Sequence, residues 1–383
     1  MAKIFFSLSG EGRGHATRVR ALVESLRAEH QVAIYASGDA YRFLAPLYRG
    51  TNVRLHRMGG LRFHYTPTRR LDFRKTAWEA IRFMRRLPLL VRMLERRLVD
   101  ERPDLVIADF EPALPRAAQR LSIPFLSIDH QHFLTTYNLS SLPLWLRAHA
   151  ALMSLIVRAI CSGQHHTIVS SFYFPPLRSN CSNVTQVGVM LRPEIVATTP
   201  ENQPHLVAYW RRFAPQNVLD ALQASGREVR VYGLGSRPRS GNLVFHAISE
   251  QRFLEDLASS SALISTAGNQ LVGEALFLGK PVLAFPESRN FEQYINAHFL
   301  DQSGAGAWAE MEQVSAAHIS GFLGRLDEYR ARIHRSRMNG LPVTLAALSR
   351  HLPAPGTEPR VGVQAESQGA ATGNRPSPSS LAI

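Results

Sequence analysis

The sequence contains few cysteines, and no metal-site spacing connects them. Cys161 and Cys181 are the two cysteines among 383 residues, and this pattern predicts neither a zinc site nor a disulfide framework. We therefore expect two unreactive thiols in a reducing compartment and no resident metal.

Long uninterrupted apolar runs are also missing. The most apolar stretch begins at Leu142, and Arg147, His149 and Arg158 interrupt it, so it does not predict a membrane-spanning helix. It is either a buried helix or one that lies on a bilayer. The N-terminus enters the strand-like run KIFFSL without the basic and apolar regions of a secretory signal. We expect a cytosolic protein.

Acidic residues are scarce relative to basic ones. Lys and Arg number 44 and Asp and Glu number 30, a formal net charge of +14 that Arg mostly supplies. Such a field favours an anionic partner, whether a nucleotide, a nucleic acid or an acidic lipid surface. A GC-rich genome also raises the Arg content, so charge alone does not decide between these explanations.

Apolar strand-like runs alternate with helical patterns along most of the chain. The candidates are KIFFSL, QVAIYAS, PDLVIADF, PFLSID, HTIVSS and NVTQVG, followed by HLVAYW, EVRVYG, NLVFH, ALISTAG and PVLAFP. Buried parallel strands separated by helices are typical of α/β proteins. The repetition predicts two Rossmann-like doubly wound domains, 1–190 and 205–352, joined by a Pro-containing linker at 191–204. The last helix can pack back on the first domain. Residues 353–383 are rich in Pro, Gly, Ser and Ala, which predicts a disordered tail.

The stretch GEGRGHATR at residues 10–18 follows the first predicted strand. Gly10, Gly12 and Gly14 allow a tight turn and close approach of a ligand, and the amino end of the next helix favours anions. The spacing differs from the Gly-x-Gly-x-x-Gly fingerprint of dinucleotide-binding proteins, so a dehydrogenase site is not indicated. His15 can act as a base or can hydrogen-bond a phosphate or sugar oxygen. Alternatively, it caps the first helix.

Residues 264–297 read ISTAGNQLVGEALFLGKPVLAFPESRNFEQYINA, which predicts strand, small-residue turn, helix, strand, loop and helix. The amino end of the first of these helices can hold a diphosphate. Glu274 lies about one and a half turns into it, where a carboxylate can accept hydrogen bonds from two ribose hydroxyls. Gln293 and Asn296 share a helix face. The alternatives are a surface carboxylate for Glu274 and a capping or core amide for Asn296.

These segments resemble GT-B glycosyltransferases. TAGNQLVGEALFLGKP and FEQYINA match a pattern of the UDP-glycosyltransferase superfamily and of the transferase that adds N-acetylglucosamine to the lipid intermediate of peptidoglycan. PDLVIADFEP and LSIDHQHF resemble segments of an uncharacterised bacterial and archaeal branch. The resemblance spans residues 3 to 310 and implies two domains that face a cleft. The His-Cys-Gly-Trp turn of plant-type members is absent, and Glu292-Gln293 replaces their Asp-Gln.

The resemblance implies a donor site made mostly by the second domain. Ribose would bind Glu274, donor-sugar hydroxyls would bind Gln293, and the base would meet the backbone of Ile248. Taken together, the implied donor-binding residues are Gly12, Gly14, Ile248, Thr266, Gly268, Asn269, Glu274 and Gln293, of which Thr266, Gly268 and Asn269 contact the diphosphate.

The resemblance also implies metal-independent, inverting hexosyl transfer with a nucleotide sugar, such as a UDP-sugar, as co-substrate and no cofactor. Protein dipoles would then stabilise the leaving diphosphate. His15 is the first candidate for the base and Asp109 the second. Asp109 can instead orient His15 or cap the next helix. Three residues at the end of a strand, Asp129, His130 and His132, are expected on the acceptor side.

Residues 69–102 contain eleven Lys or Arg and five acidic residues around an apolar stripe that precedes Pro88. This predicts either a basic amphipathic helix on anionic lipid or a core-packed helix with a solvated charged face. Together with the apolar segment 142–162 and the lipid-linked acceptor of the peptidoglycan relative, it suggests a peripheral enzyme on the inner face of the cell membrane. Its acceptor would be lipid-linked or amphiphilic, in a cell-envelope glycoconjugate.

Three other functions stay open at this point. Nucleotide-sugar 2-epimerases share the architecture but would need further acid–base carboxylates in the cleft and no acceptor. A non-enzymatic nucleic-acid binder is suggested by charge alone, without a zinc, RRM or KH pattern, so we expect no nucleic-acid partner. A degenerate transferase that acts as a sensor is the third.

Overall fold

The computed structural model describes residues 1–61, 64, 72–211 and 213–353. The first part of the chain forms, in order, β1 (Lys3–Leu8), α1 (Gly14–Leu26), β2 (Gln31–Ala36), α2 (Gly38–Tyr48), β3 (Arg54–Arg57), α3 (Phe73–Glu101), β4 (Leu105–Asp109), α4 (Ala113–Arg120), β5 (Phe125–Asp129), α5 (Phe133–Thr136), α6 (Leu144–Ile160), β6 (His166–Ser170), β7 (Val184–Val187) and α7 (Pro193–Ala197). The second part forms β8 (Leu206–Tyr209), α8 (Gln216–Gln223), β9 (Val229–Tyr232), β10 (Leu243–His246), α9 (Glu250–Ser259), β11 (Ala262–Ser265), α10 (Asn269–Phe277), β12 (Val282–Ala284), α11 (Phe291–Ser303), β13 (Gly306–Trp308), α12 (Ala316–Leu323), α13 (Leu326–Ala331) and α14 (Leu341–Ser349), with 3₁₀ turns at Met311–Gln313 and Arg335–Arg337. Residues 354–383 of the predicted tail, and Arg69 and Arg70 of the predicted basic helix, lie outside the described residues.

Over the described part of the chain, the strands form two separate parallel sheets. The first has seven strands in the order β3-β2-β1-β4-β5-β6-β7, and the second has six in the order β10-β9-β8-β11-β12-β13. This confirms the predicted pair of doubly wound α/β domains. Each sheet has one point where strand order reverses, between β1 and β4 and between β8 and β11. Ligands of such sheets bind at the carboxyl ends of the strands beside that point, where both glycine-containing turns lie.

The strands are continuously apolar because helices cover both faces of each sheet. In β1, Phe5 is buried with α3 and α4 on one face, whereas Phe6 and Leu8 are buried with α1 and α2 on the other. A parallel sheet buried on both sides has no solvent face that would require polar alternation. The same reasoning explains why the strand runs were readable from the sequence.

Two strands differ from the sequence expectations, since β3 and β13 were not predicted. The helix expected within 69–102 is α3, which continues through Pro88 to Glu101. Pro88 lies on the exposed side of the helix, and the buried stripe follows at Leu87, Val91, Leu94 and Leu98. A proline removes one helical hydrogen bond, which this length of buried helix can offset.

The two domains share an apolar interface. Tyr173 of the first domain stacks on Phe299 of the second with ring centroids 4.2 Å apart, and one core cluster includes both residues. Helix α14 returns to the first domain, where Ala347 and Leu348 join its core. The segment 191–204 between the two sheets contains the one-turn helix α7.

Candidate active site

The two glycine-containing turns precede helices that pack together at the interface between the domains. Helix α1 follows the turn after β1, and helix α10 follows the turn after β11. The two helices pack against each other. A ligand bound between these turns would therefore contact both domains.

His15, near the start of α1, is held by a carboxylate at the end of β4. Its Nδ1 lies 2.8 Å from Asp109 Oδ1, and Arg18 Nη1 donates to both oxygens of the same carboxylate at 2.8 Å. Asp109 is 1% exposed and lies against the Arg18 cation. A carboxylate beside a cation accepts hydrogen bonds, so the Nδ1–H of His15 donates to Asp109 and Nε2 lies on the other side of the ring. The arrangement suits a base that is oriented by a carboxylate.

A different carboxylate caps the helix that follows Asp109. Glu111 accepts hydrogen bonds from the backbone amides of Ala113 and Leu114 at 2.7 and 3.0 Å. The capping alternative for Asp109 is therefore wrong, since its oxygens face His15 and Arg18.

The first turn leaves space in front of His15. Gly12 has a φ of 76°, in the left-handed region that favours glycine. A Cβ placed on Gly14 would meet no described atom within 4 Å. The open volume at the amino end of α1 is where a ligand could approach the turn.

The second turn, residues 266–269, presents the amino end of α10. Ala267 has a φ of 62°, a conformation uncommon for a residue with a side chain. The Val272 amide donates to the Gly268 carbonyl at 3.0 Å and is the first to bond within the helix. The helix itself does not use the amides before it, and they point toward the turn with the positive end of the helix dipole.

Buried hydrogen bonds connect both ends of this turn, Ala267 and Asn269, to residues of the first domain. The Ala267 carbonyl accepts from Asn296 Nδ2 at 2.9 Å, and Asn296 Oδ1 lies 3.1 Å from His130 Nε2. His130 Nδ1 lies 3.1 Å from the Ser170 carbonyl, which also accepts from Asn269 Nδ2 at 3.0 Å. Asn296 is thus a core amide that joins the domains. The side chain of Asn269 is used by the interface, which leaves its backbone amide for a phosphate.

Glu274 faces the domain interface and not bulk water. It is 3% exposed; its Oε2 accepts from Arg192 Nη2 at 3.2 Å and its Oε1 from Gln270 Nε2 at 3.0 Å. The Glu274 charge raises the pKa of Arg192. The surface alternative for Glu274 is therefore wrong. Each carboxylate oxygen can accept a second hydrogen bond, so capacity for hydroxyl donors is left.

Gln293 and Ile248 lie near these groups. Gln293 Nε2 is 3.4 Å from Thr266 Oγ1, and its Oε1 accepts from the Glu287 amide at 2.7 Å. Ile248 is 45% exposed and comes two residues before Glu250, whose Oε2 lies 3.7 Å from the Arg192 cation that binds Glu274. The loop at Ile248 therefore borders the Glu274 region.

The sequence model described as "Glycosyl transferase family 1" matches residues 2–327. The chain belongs to glycosyl transferase family 1. The matched range includes both the His15–Asp109 pair and the Glu274 helix.

Relatives and solved structures agree with this assignment. An uncharacterized glycosyltransferase of Methanosarcina mazei is 24% identical over 330 residues, which cover 79% of this chain and 84% of the relative. Arabidopsis thaliana UGT89C1 complexed with UDP-L-rhamnose superposes with a TM-score of 0.66 at 14% identity, over 92% of this chain and 100% of that one. CalG4, the calicheamicin glycosyltransferase, gives 0.64 at 18% identity over 93% and 100%. At these identities the structural likeness shows a shared GT-B fold.

In this family 1 glycosyl transferase, the residues expected on the acceptor side are internal. Asp129, His130 and His132 are at most 2% exposed. Asp129 Oδ2 lies 2.7 Å from His132 Nδ1 and accepts from Ser127 Oγ at 2.7 Å. His130 contacts Asn296 of the second domain, so this end of β5 is covered, and the expected acceptor-side role of these residues stays a prediction.

Electrostatics inside this cluster are strong. Burial alone would raise the pKa of Asp129, but the His132 charge and the hydrogen bonds from His132 and Ser127 hold that pKa well below its usual range. Burial alone would lower the pKa of His132, but the Asp129 charge and hydrogen bond outweigh burial and raise that pKa. Burial lowers the pKa of His130. The cluster stabilises the fold beside the site.

Sequence reasoning missed the arginines that complete the site. Arg18 lies three residues after His15, a helical spacing that could have indicated a shared face. Arg192 falls in the segment interpreted as a linker, and no pattern pointed to it. Arg211 follows β8 at the reversal point of the second sheet, where position alone was the available signal.

Proposed function

We propose that this glycosyl transferase moves a sugar from a UDP-linked donor to a hydroxyl of a lipid-linked or amphiphilic acceptor, with inversion and without a metal. One observation carries the proposal: helix α1, which places His15 beside Asp109, packs against helix α10, which carries Glu274, at the domain interface. A base and a site for the leaving diphosphate are the two groups that direct displacement needs.

The proposed step is a single displacement at the anomeric carbon. His15 Nε2 takes the proton of the acceptor hydroxyl, and the acceptor oxygen forms a bond to the anomeric carbon. The bond from that carbon to the diphosphate oxygen breaks, and its electron pair leaves with the nucleoside diphosphate. Attack from the opposite side inverts the configuration. Asp109 stabilises the imidazolium that forms, and Arg18 holds Asp109 by donating to both of its oxygens.

The second domain would bind the donor. Backbone amides at residues 266–269 and the α10 dipole would hold the diphosphate and stabilise its growing charge. Glu274 would accept from ribose hydroxyls, Gln293 would reach the sugar, and the backbone at Ile248 would meet the base. The choice of uracil is supported by the resemblance to UDP-glycosyltransferases and by the UDP-L-rhamnose in the UGT89C1 structure.

The helix layer α3–α4–α6 supports an amphiphilic acceptor. Helices α3 and α4 pack together, and Arg116 of α4 donates to the Ala159 carbonyl of α6 at 2.8 Å. On the outer side of α3 and α6, large apolar side chains are exposed to solvent. They are Trp78, Ile81, Met84, Leu89, Met93, Leu144, Leu152, Leu155 and Ile156.

Basic residues accompany these apolar ones. Arg82, Arg85 and Arg86 line a surface depression together with Trp78 and Ile81. An amphipathic surface with cations favours the boundary of an anionic bilayer. None of the described helices has both the length and the apolar character needed to cross a bilayer. The proposed location is the cytoplasm, peripheral on the inner face of the cell membrane, and the basic amphipathic surface of α3 supports it.

A thermal-shift panel of nucleoside diphosphates and nucleotide sugars tests the donor assignment. Wild type should be stabilised by UDP and UDP-sugars, and Glu274→Gln, which keeps the side-chain shape, should lose most of that shift. Glu328→Gln is the matched control because its carboxylate is 64% exposed on a surface helix. A wild type that no nucleoside diphosphate stabilises would overturn the proposal.

Incubation with the UDP-sugar alone separates transfer from epimerisation. We expect no C2-epimerised nucleotide sugar in the absence of an acceptor. Its accumulation would instead favour the epimerase alternative.

A further inference from the structure

The backbone of Arg211 lies beside the proposed diphosphate site. It follows β8 by two residues, and β8 pairs with β11 so that Tyr209 lies opposite Ser265. Both strands end at this point, and the backbone leaves the sheet there. The backbone of Arg211 therefore starts next to the turn at residues 266–269, at the edge where doubly wound sheets bind ligands.

The side chain of Arg211 then crosses to the first domain. Its Nη2 lies 2.6 Å from Glu11 Oε1 and 3.2 Å from Asp39 Oδ2. A Cβ placed on Gly12 would lie 3.6 Å from Arg211 Nη1. The guanidinium thus lies over the glycine turn of the first domain.

A second cation acts on the same point. Burial raises the pKa of the Tyr209 hydroxyl at the end of β8, while Arg13 and Arg211 oppose that rise. Arg13 belongs to the glycine turn of the first domain. The charges of Arg13 and Arg211, one from each domain, therefore both act on the end of β8, and the Glu287 charge opposes them.

We propose that Arg211 binds the donor's diphosphate, and that Glu11 and Asp39 hold its guanidinium in place when no donor is bound. This inference rests on the proposed function, because it assigns one more ligand to the same donor. A guanidinium can donate two parallel hydrogen bonds to phosphate oxygens. The Arg211 side chain is 33% exposed, Glu11 is 22% exposed and Asp39 is 37% exposed, so solvent reaches this ion pair and weakens it. A diphosphate can therefore replace the carboxylates.

If the diphosphate replaces the carboxylates on Arg211, substitutions of Arg211 and of Glu11 should have opposite effects on UDP binding. Removing the Arg211 cation should weaken UDP binding. Neutralising Glu11 should strengthen it, because the guanidinium no longer has to leave a carboxylate. An ion pair that only fastened the domains would not give this gain through Arg211.

Isothermal titration calorimetry of the full chain with UDP and with uridine tests this. Arg211→Gln should weaken UDP binding about tenfold or more and leave uridine binding unchanged, because uridine has no phosphates. Glu11→Gln should tighten UDP binding several-fold, and this gain should disappear in the Glu11→Gln/Arg211→Gln double variant. Arg239→Gln, at a site 60% exposed beside Glu228, is the charge-matched control.

Two results would overturn the inference. One is UDP binding by Arg211→Gln equal to that of wild type. The other is a Glu11→Gln gain that survives undiminished in the double variant, which would mean simple repulsion of the phosphates. Arg211→Lys should bind UDP with intermediate affinity, and it replaces Arg211→Gln if that variant does not fold. If Glu274→Gln weakens UDP binding and Arg211→Gln does not, only this inference fails; if wild type binds no UDP, the proposed function fails.

Discussion

Replacing Arg192 by Met removes the cation that faces a buried carboxylate. Arg192 is 8% exposed and Glu274 is 3% exposed, and their side chains meet at 3.2 Å. Methionine fills a similar volume without a charge. The variant therefore tests directly whether Glu274 is ionised in a site that excludes water.

The size of the effect follows from burial. Breaking a buried pair by removing one partner costs about 3–5 kcal/mol, because the other charge stays buried and unpaired. Gln270 still donates to Glu274 at 3.0 Å, so we expect a loss of about 3 kcal/mol, at the lower end of that range. Adding Glu274→Gln removes the remaining charge and should recover most of the loss.

The loss should depend on pH in a defined direction. In the Arg192→Met variant, the Glu274 carboxylate is buried without its cation, which disfavours the charged form in the folded protein relative to the unfolded chain. The folded state then binds protons more readily than the unfolded state, so stability falls as pH rises. The deficit relative to wild type should be larger at about pH 8 than at about pH 5.

Urea unfolding at both pH values measures these differences for wild type, Arg192→Met, Glu274→Gln and the double variant. Arg239→Met is the control, since Arg239 is exposed and remote from Glu274. A loss below about 1 kcal/mol at both pH values, the size typical of an exposed pair, would refute the reasoning. It would mean that water reaches the Glu274 carboxylate.

Three further predictions concern catalysis, acid stability and lipid binding. Asp109→Asn offers the neighbouring imidazole a donor in place of an acceptor, so kcat, measured as UDP release with an acceptor, should fall about 10²–10⁴-fold while UDP affinity stays unchanged. Burial disfavours ionised Asp129, but His132 holds its pKa well below the usual range, so its stabilisation exists above about pH 4 and is lost as pH falls below it. Asp129→Asn should therefore flatten the acid side of the thermal unfolding profile. The Trp78→Ser/Ile81→Ser variant should sediment with phosphatidylglycerol vesicles at least about tenfold less than wild type, and salt should weaken both.

Each of these has a control and a contradicting result. His15→Gln leaves the Arg18–Asp109 pair intact, so an equal loss of kcat in both variants assigns the effect to the base and not to folding. Unchanged kcat, parallel acid limbs or equal vesicle binding would each contradict the corresponding prediction. Phosphatidylcholine vesicles control for adsorption without charge.

Local pattern explains which elements were predictable. The strand that ends at Asp109 reads LVIAD and is fully buried, so its apolar run is unbroken. Strand β3, RLHR, lies at a sheet edge and is partly exposed, and β13 is three residues long. Neither strand contains an apolar run that would distinguish it from a loop in the sequence.

The sequence by itself determined the two doubly wound domains and the positions of the two turns. It also placed His15 and Glu274 in the helices that follow those turns, because strand runs and helical spacing are local properties. Only the tertiary structure decided which charges meet. Asp109 lies 94 residues from His15, and Arg192 lies 82 residues from Glu274. The same holds for the interior position of Asp129, since burial depends on the elements that cover a strand end. Contacts between distant segments arise from packing of the whole chain, so the spacing of residues within a short segment does not predict them.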